Sequence, residues 1–168
     1  GAILLKELGV IKRKTAGYCG IAYGLKKLDP KLLSVKWKKL MGKNYDQAEK
    51  QAIEVAALSG TNITAFVNAL DVFNDLLLDS LFAADGAIGS YTLGNIGGVL
   101  NPTSKFAVKY PAIFTYVNDV HEARYLSMYS HPRVRRTAKP TKKISYRYLG
   151  KARRLLKAAV SELHAAGY

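Results

Sequence analysis

Three histidines, twelve carboxylates and one cysteine are the groups in this 168-residue chain that could do acid–base, nucleophilic or metal chemistry. Their spacing assembles none of it. His121, His131 and His164 stand far apart, and "HEARY" at 121–125 lacks the second histidine, one helical turn on, that a zinc-protease helix needs. His121 is expected on a helix surface beside Glu122. Cys19 alone excludes a Cys-based zinc site and an intrachain disulfide, and reads as a small apolar residue or at most a reactive thiol. No G-x-S-x-G elbow accompanies the serines. Asp71, Asp75 and Asp79 recur every four residues, which places them on one helix face. Such a row could pair carboxylates for proton transfer. It suits a solvated face, or an ion-pair partner for a neighbouring basic segment, better. The chain is therefore expected to be no enzyme, with no metal, no cofactor and no small-molecule substrate.

The glycine clusters do not supply a nucleotide site. "AGYCGIAYG" at 16–24 and "GNIGG" at 94–98 lack the Lys and Ser or Thr of a phosphate-cradling loop, and the strand–turn–helix setting of a dinucleotide fingerprint. The first cluster could make tight turns or let backbone approach a phosphate, helped by its flanking lysines.

Cations are where the chemistry lies. "HPRVRRTAKPTKKISYRYLGKARRLLK", 131–157, holds eleven Lys and Arg and no acid. The whole chain has 26 basic and 12 acidic residues, a net charge of +14, and this charge is sorted. Residues 1–45 carry eleven basic and two acidic residues, 46–122 three and nine, and 123–168 twelve and one. Two basic arms flank an acidic, apolar middle. An ordinary solvated surface mixes both signs, so the arms point to a polyanion. The candidate phosphate-binding residues are Lys12, Arg13, Lys14, Lys26, Lys27, Lys36, Lys38, Lys39 and Lys43 in the first arm. In the second they are Arg124, Arg133, Arg135, Arg136, Lys139, Lys142, Lys143, Arg147, Lys151, Arg154 and Lys157. No compact recognition helix stands out, so contacts to phosphate rather than to base edges are expected. Tyr125, Tyr129, Tyr146 and Tyr148 lie among these cations. They could stack on unpaired bases, but an interface role between subunits is preferred because no aromatic pair on a strand accompanies them.

The elements that would carry these residues are helices. Asp29, Pro30 and Gly42 bound a helix over 30–41, with Asp29 as cap and Pro30 in the first turn. A second runs from Asp46 toward Gly60. A third starts at Thr61 or Asn62 and stops at Gly86, with Ile63, Phe66, Val67, Leu70, Phe73, Leu77 and Leu81 at helical spacing. Its three aspartates argue against a membrane span. Residues 86–110, with five glycines, read as a long loop holding a short turn. Pro111 opens a helix that ends before His131. Thr141 caps a last helix over 142–166, with Tyr148, Ala152, Leu155, Leu156, Ala159, Val160 and Leu163 on one half and Lys143, Arg147, Lys151, Arg153, Arg154 and Lys157 on the other. The fold class is all-α: a helical core over 46–130, a basic helical arm over 1–45, and a basic linker with an amphipathic helix over 131–168.

This layout resembles the major coat proteins of filamentous and rod-shaped archaeal DNA viruses, the rudivirus, lipothrixvirus and tristromavirus group. The stretches "IKRKTAGYCGIAYGLKK" and "LLSVKWKKLMGK" carry the likeness, with two long apolar helices between the arms. The resemblance implies homodimers, or heterodimers of paralogous coat proteins, that wrap linear double-stranded DNA in the A-form. The basic arms would touch phosphate, helices 61–84 and 111–129 would make dimer and inter-turn contacts, and the acidic middle would face outward or toward neighbours. The implied setting is a helical virion assembled in the host cytoplasm. A cellular basic helical nucleic-acid-binding protein, chromatin-like or ribosome-associated and without filament assembly, is the alternative. Membrane-surface binding through the last helix is a third, with direct membrane contact not expected.

Overall fold

A computed structural model describes residues 34–58, 62–127 and 143–168. Among them the chain is helical, with no strand. The helices are α1 (Trp37–Met41), α2 (Tyr45–Leu58), α3 (Ile63–Ala84), α4 (Ile96–Val99), α5 (Lys105–Lys109), α6 (Pro111–Tyr125) and α7 (Arg147–Ala165). The all-α packed architecture is the one expected from the hydrophobic periodicity.

α3 is the hub. Asn62 caps it by accepting the Ala65 N–H at 3.1 Å. Its 22 residues span roughly 33 Å. Fourteen of them are buried and cover about two thirds of its circumference, leaving a strip of Ala65, Asn68, Val72, Asp75 and Asp79 that is half-buried or exposed. α2, α6 and α1 surround it, and α7 packs on the outside of α6. Partner numbers fall along one helix as they rise along the next: Asn44 with Ser80 and Gln51 with Ala69 between α2 and α3, Asp119 with Lys151 and Ile113 with Glu162 between α6 and α7. Each neighbouring pair is therefore antiparallel, and the layers run α2, α3, α6, α7.

Phe66, Leu70, Phe73, Leu77, Leu78 and Leu81 are buried within a single chain, while Val72, on the opposite side of α3, is 37% exposed.

Element ends differ from expectation where tertiary contacts intervene. The helix expected over 30–41 covers only Trp37–Met41 within the described residues. Lys36 gives its N–H to the Tyr168 carbonyl at 2.7 Å instead of to a helical neighbour. Asp29 and Pro30 lie outside the described residues. Gly42 ends α1 at φ +50°, where a side chain would be strained. α6 begins at Pro111 as expected but stops at Tyr125, where Ser127 Oγ donates to the Arg124 carbonyl. α7 begins at Arg147, and Lys143–Ser145 precede it in non-helical form. Thr141 and Lys142 lie outside the described residues.

Residues 86–110 are not a loop with one turn. They form two 3-10 turns (Gly86–Ile88, Leu93–Asn95) and the short helices α4 and α5. Polar side chains satisfy the backbone here: Thr92 and Asn95 make a reciprocal capping box, and Ser104 accepts the Ala107 N–H. Phe82, Tyr91, Phe106, Tyr110 and Phe114 pack ring against ring beneath them. The segment is an ordered cap on one end of the bundle.

Candidate nucleic-acid interface

α7 separates its two faces as the periodicity required. Ala152, Leu156, Ala159, Val160 and Leu163 are buried, and Tyr148 and Leu155 are half-buried. Lys143, just before the helix, and Arg147, Lys151, Arg154 and Lys157 on it are exposed. Arg147 to Lys157 spans about 15 Å along the axis. A duplex presents about nine phosphate charges over that length. Arg153, expected on the same face, is half-buried.

The first arm meets this helix at its far end. Besides the Lys36–Tyr168 backbone bond, Ser34 Oγ and His164 Nε2 lie 2.9 Å apart, and Lys39 Nζ sits 5.7 Å from the centre of the Tyr168 ring. Lys36, Lys38, Lys39 and Lys43 are exposed on this segment. The segment carrying Lys36 to Lys43 is thus tied to the C-terminal end of α7, beyond the Arg147–Lys157 stretch.

Two of the candidate phosphate-binding residues also make ion pairs within the chain. Arg124 Nη1 lies 2.8 Å from Asp71, and its Nε donates to Asn68 at 2.8 Å. Lys151, though half exposed, is bonded to Asp119. Lys12, Arg13, Lys14, Lys26, Lys27, Arg133, Arg135, Arg136, Lys139 and Lys142 lie outside the described residues. Lys50 on α2 and Lys105 on the cap are exposed cations that the two-arm scheme left out. Only their being isolated lysines flagged them, which is a weak signal.

Of the two expectations for the aspartate row, Asp71 follows the ion-pair one and not the solvated face: it is buried, receives Arg124 of the second basic segment and lies 3.2 Å from His121 Nδ1. His121 is accordingly turned toward α3 and stacks on Tyr125 rather than lying free beside Glu122. Asp75 accepts the Tyr91 hydroxyl. Asp79 accepts Asn44 Nδ2 at 2.6 Å. Asp85 accepts the Tyr110 hydroxyl at 2.6 Å and Lys109 at 2.5 Å. Asp119 accepts the Tyr148 hydroxyl at 2.6 Å.

Burial and the neighbouring carboxylate both disfavour the phenolate in Tyr91, Tyr110 and Tyr148, so all three hydroxyls are held well above the usual tyrosine range. The Asp85 carboxyl is lowered, chiefly by its bonds from Lys109 and Tyr110. Tyr148, placed among the cations in sequence, is thus a clamp between α6 and α7, whereas Tyr125 and Tyr146 are exposed. Tyr129 lies outside the described residues.

Asp75 and Asp79 are satisfied by neutral donors alone, while Asp71, Asp85 and Asp119 each take a Lys or Arg as well. Asp46, Glu54 and Glu122 are exposed. A groove of about 270 Å³ between α6 and α7 has Asp119, Glu122, Lys143 and Lys151 in its wall, charges of both signs. No described helix is long and apolar enough to cross a membrane.

No protein-family model, curated protein or solved structure matches this chain.

Proposed function

We propose that this chain is a structural nucleocapsid protein that packages linear double-stranded DNA, held in A-form, into a helical filament through sequence-independent phosphate contacts. The observation that carries this reading is that residues 34–44 and 143–157 expose cations and hold no carboxylate, the exposed acids Asp46, Glu54 and Glu122 lying elsewhere. Asp71, Asp75, Asp79, Asp85 and Asp119 are taken up by contacts inside the chain, while Lys36, Lys38, Lys39, Lys43, Lys143, Arg147, Arg154 and Lys157 are exposed. Copies carrying +14 each repel one another, and a phosphate rod removes that repulsion. Many weak subunit contacts along one polymer then sum to a stable filament. The resemblance to archaeal coat proteins supports the same reading.

Electron microscopy of the protein mixed with linear duplex DNA tests it. Regular filaments are expected; small discrete complexes would favour the cellular nucleic-acid-binding alternative. With roughly 6–10 phosphates engaged, affinity falls about 10³–10⁵-fold between 50 and 200 mM salt. A flat salt titration overturns the reading. Reversing the charge of Arg135, Arg136, Lys142 and Lys143 together abolishes packaging and leaves helicity intact; normal filaments from that variant count against it.

A further inference from the structure

We infer that the start of α7 is a stacking site for an unpaired base, with Tyr146 as its platform, so that this chain holds single-stranded DNA by more than phosphate contacts. This rests on the nucleic-acid half of the reading above and adds a second kind of contact to it.

The fold engages every other described tyrosine. Tyr91, Tyr110 and Tyr148 donate to aspartates, Tyr125 stacks on His121, and the Tyr168 ring lies under Lys39. Tyr116 is buried and Tyr45 packs against the core. Tyr146 is the exception. It is 59% exposed, and among the described residues no hydrogen bond or ring contact holds its side chain.

Its surroundings decide what can lie on it. Exposed Lys143 and Arg147 flank it, and the chain holds no carboxylate from 143 to 161. Asp119 and Glu122 belong to the groove between α6 and α7, whose wall Tyr146 does not join. Gly150, one turn on in the same row, sets no side chain beside the ring. Arg154, a further turn on, brings Nη1 within 3.8 Å of where a Gly150 Cβ would stand. A second copy meeting this face through the same face would set like charge on like, so for Tyr146 base stacking goes ahead of the subunit contact expected from sequence. A single strand fits: a base stacks on the ring while its phosphates meet Lys143, Arg147 and Arg154. In a closed duplex the faces of the bases are covered by their neighbours, so the site selects unpaired ones.

Binding of the full chain to oligo-dT, whose bases stack little on one another, is compared by fluorescence anisotropy with binding to an abasic strand of equal length and charge. The wild type is expected to hold oligo-dT roughly tenfold more tightly. Tyr146→Ala is expected to erase that margin and Tyr146→Phe to keep it. The salt slope stays the same in all three, because the ring carries no charge. Equal affinity of the wild type for the two strands overturns the inference, as does a margin that survives in a folded Tyr146→Ala chain. Salt-dependent binding to both strands would still leave the phosphate contacts standing. Binding to neither strand overturns the inference too, and the duplex titration above then decides the proposed function separately.

Discussion

Glu162, near the end of α7, accepts the Ile113 N–H at 2.7 Å and that of Ala112 at 3.2 Å. These are the free donors in the first turn of α6, where Pro111 supplies none and Tyr110 gives no side-chain cap. A residue fifty positions away in sequence thus caps α6 and ties the last helix to the core. Replacing Glu162 with Ala is expected to destabilise the fold by about 1 kcal/mol, with Glu162→Gln losing less. Urea unfolding followed by circular dichroism measures both. An unchanged midpoint in Glu162→Ala would show that the cap contributes nothing.

The tyrosine–aspartate bonds set the alkaline limit of stability. In the unfolded chain Tyr91, Tyr110 and Tyr148 lose their protons near pH 10. In the fold all three hold them to higher pH. The stabilisation is complete below about pH 10 and is lost progressively as pH rises beyond it, because the unfolded state then releases more protons. The Asp85 carboxyl, being lowered, acts oppositely: its contribution is present above the usual carboxylate range and fades in acid. Thermal melting against pH should show a plateau through neutrality and a steep fall above about pH 10. Tyr148→Phe should make that fall shallower; an unaltered slope would refute the assignment.

Much of this architecture was legible in the residue pattern, and its failures share one cause. The spacing of Phe66, Leu70, Phe73 and Leu77 declared α3, and that of Leu156, Ala159, Val160 and Leu163 declared the buried half of α7. Period alone tells which residues share a face, but not what meets that face. Asp71, Asp75 and Asp79 do share one side of α3, yet Arg124, Tyr91 and Asn44 come to them from three different elements. None of those pairings leaves a local trace. Arg124 looked like one more cation of the second arm for the same reason. The cap was misread because glycine usually marks irregular chain, whereas here Thr92, Asn95, Asn101 and Ser104 supply the hydrogen bonds that order it.

Asn74 tests the packing of α3 directly. It is fully buried, and neither end of its amide has a hydrogen-bond partner among the described residues. An unmet buried amide costs about 1–3 kcal/mol. Asn74→Leu, with the same number and branching of side-chain heavy atoms, should stabilise the fold by about 1–2 kcal/mol, raising the melting temperature by a few degrees. A lower melting temperature would mean that the amide is satisfied by water or by residues outside those described.

The last prediction separates cations that hold the fold from cations that face outward. Arg124→Gln strips the charge partner from buried Asp71 and should destabilise by about 2 kcal/mol. Lys36→Gln, Lys38→Gln and Lys39→Gln together remove exposed charges, and surface changes of this kind usually stay within about 0.5 kcal/mol. On the proposed function their effect is expected on DNA binding. Each phosphate contact contributes about 0.9 to the slope of log affinity against log salt, so losing three should flatten it by about 2.7. Arg147→Gln with Arg154→Gln should flatten it by about 1.8 on the same basis. The Arg124 variant, once corrected for its folded fraction, should keep the wild-type slope. If Arg124→Gln instead lowers the slope while the triple lysine variant leaves it unchanged, then the exposed side of α1 is not where DNA lies, and the division between inward and outward cations fails.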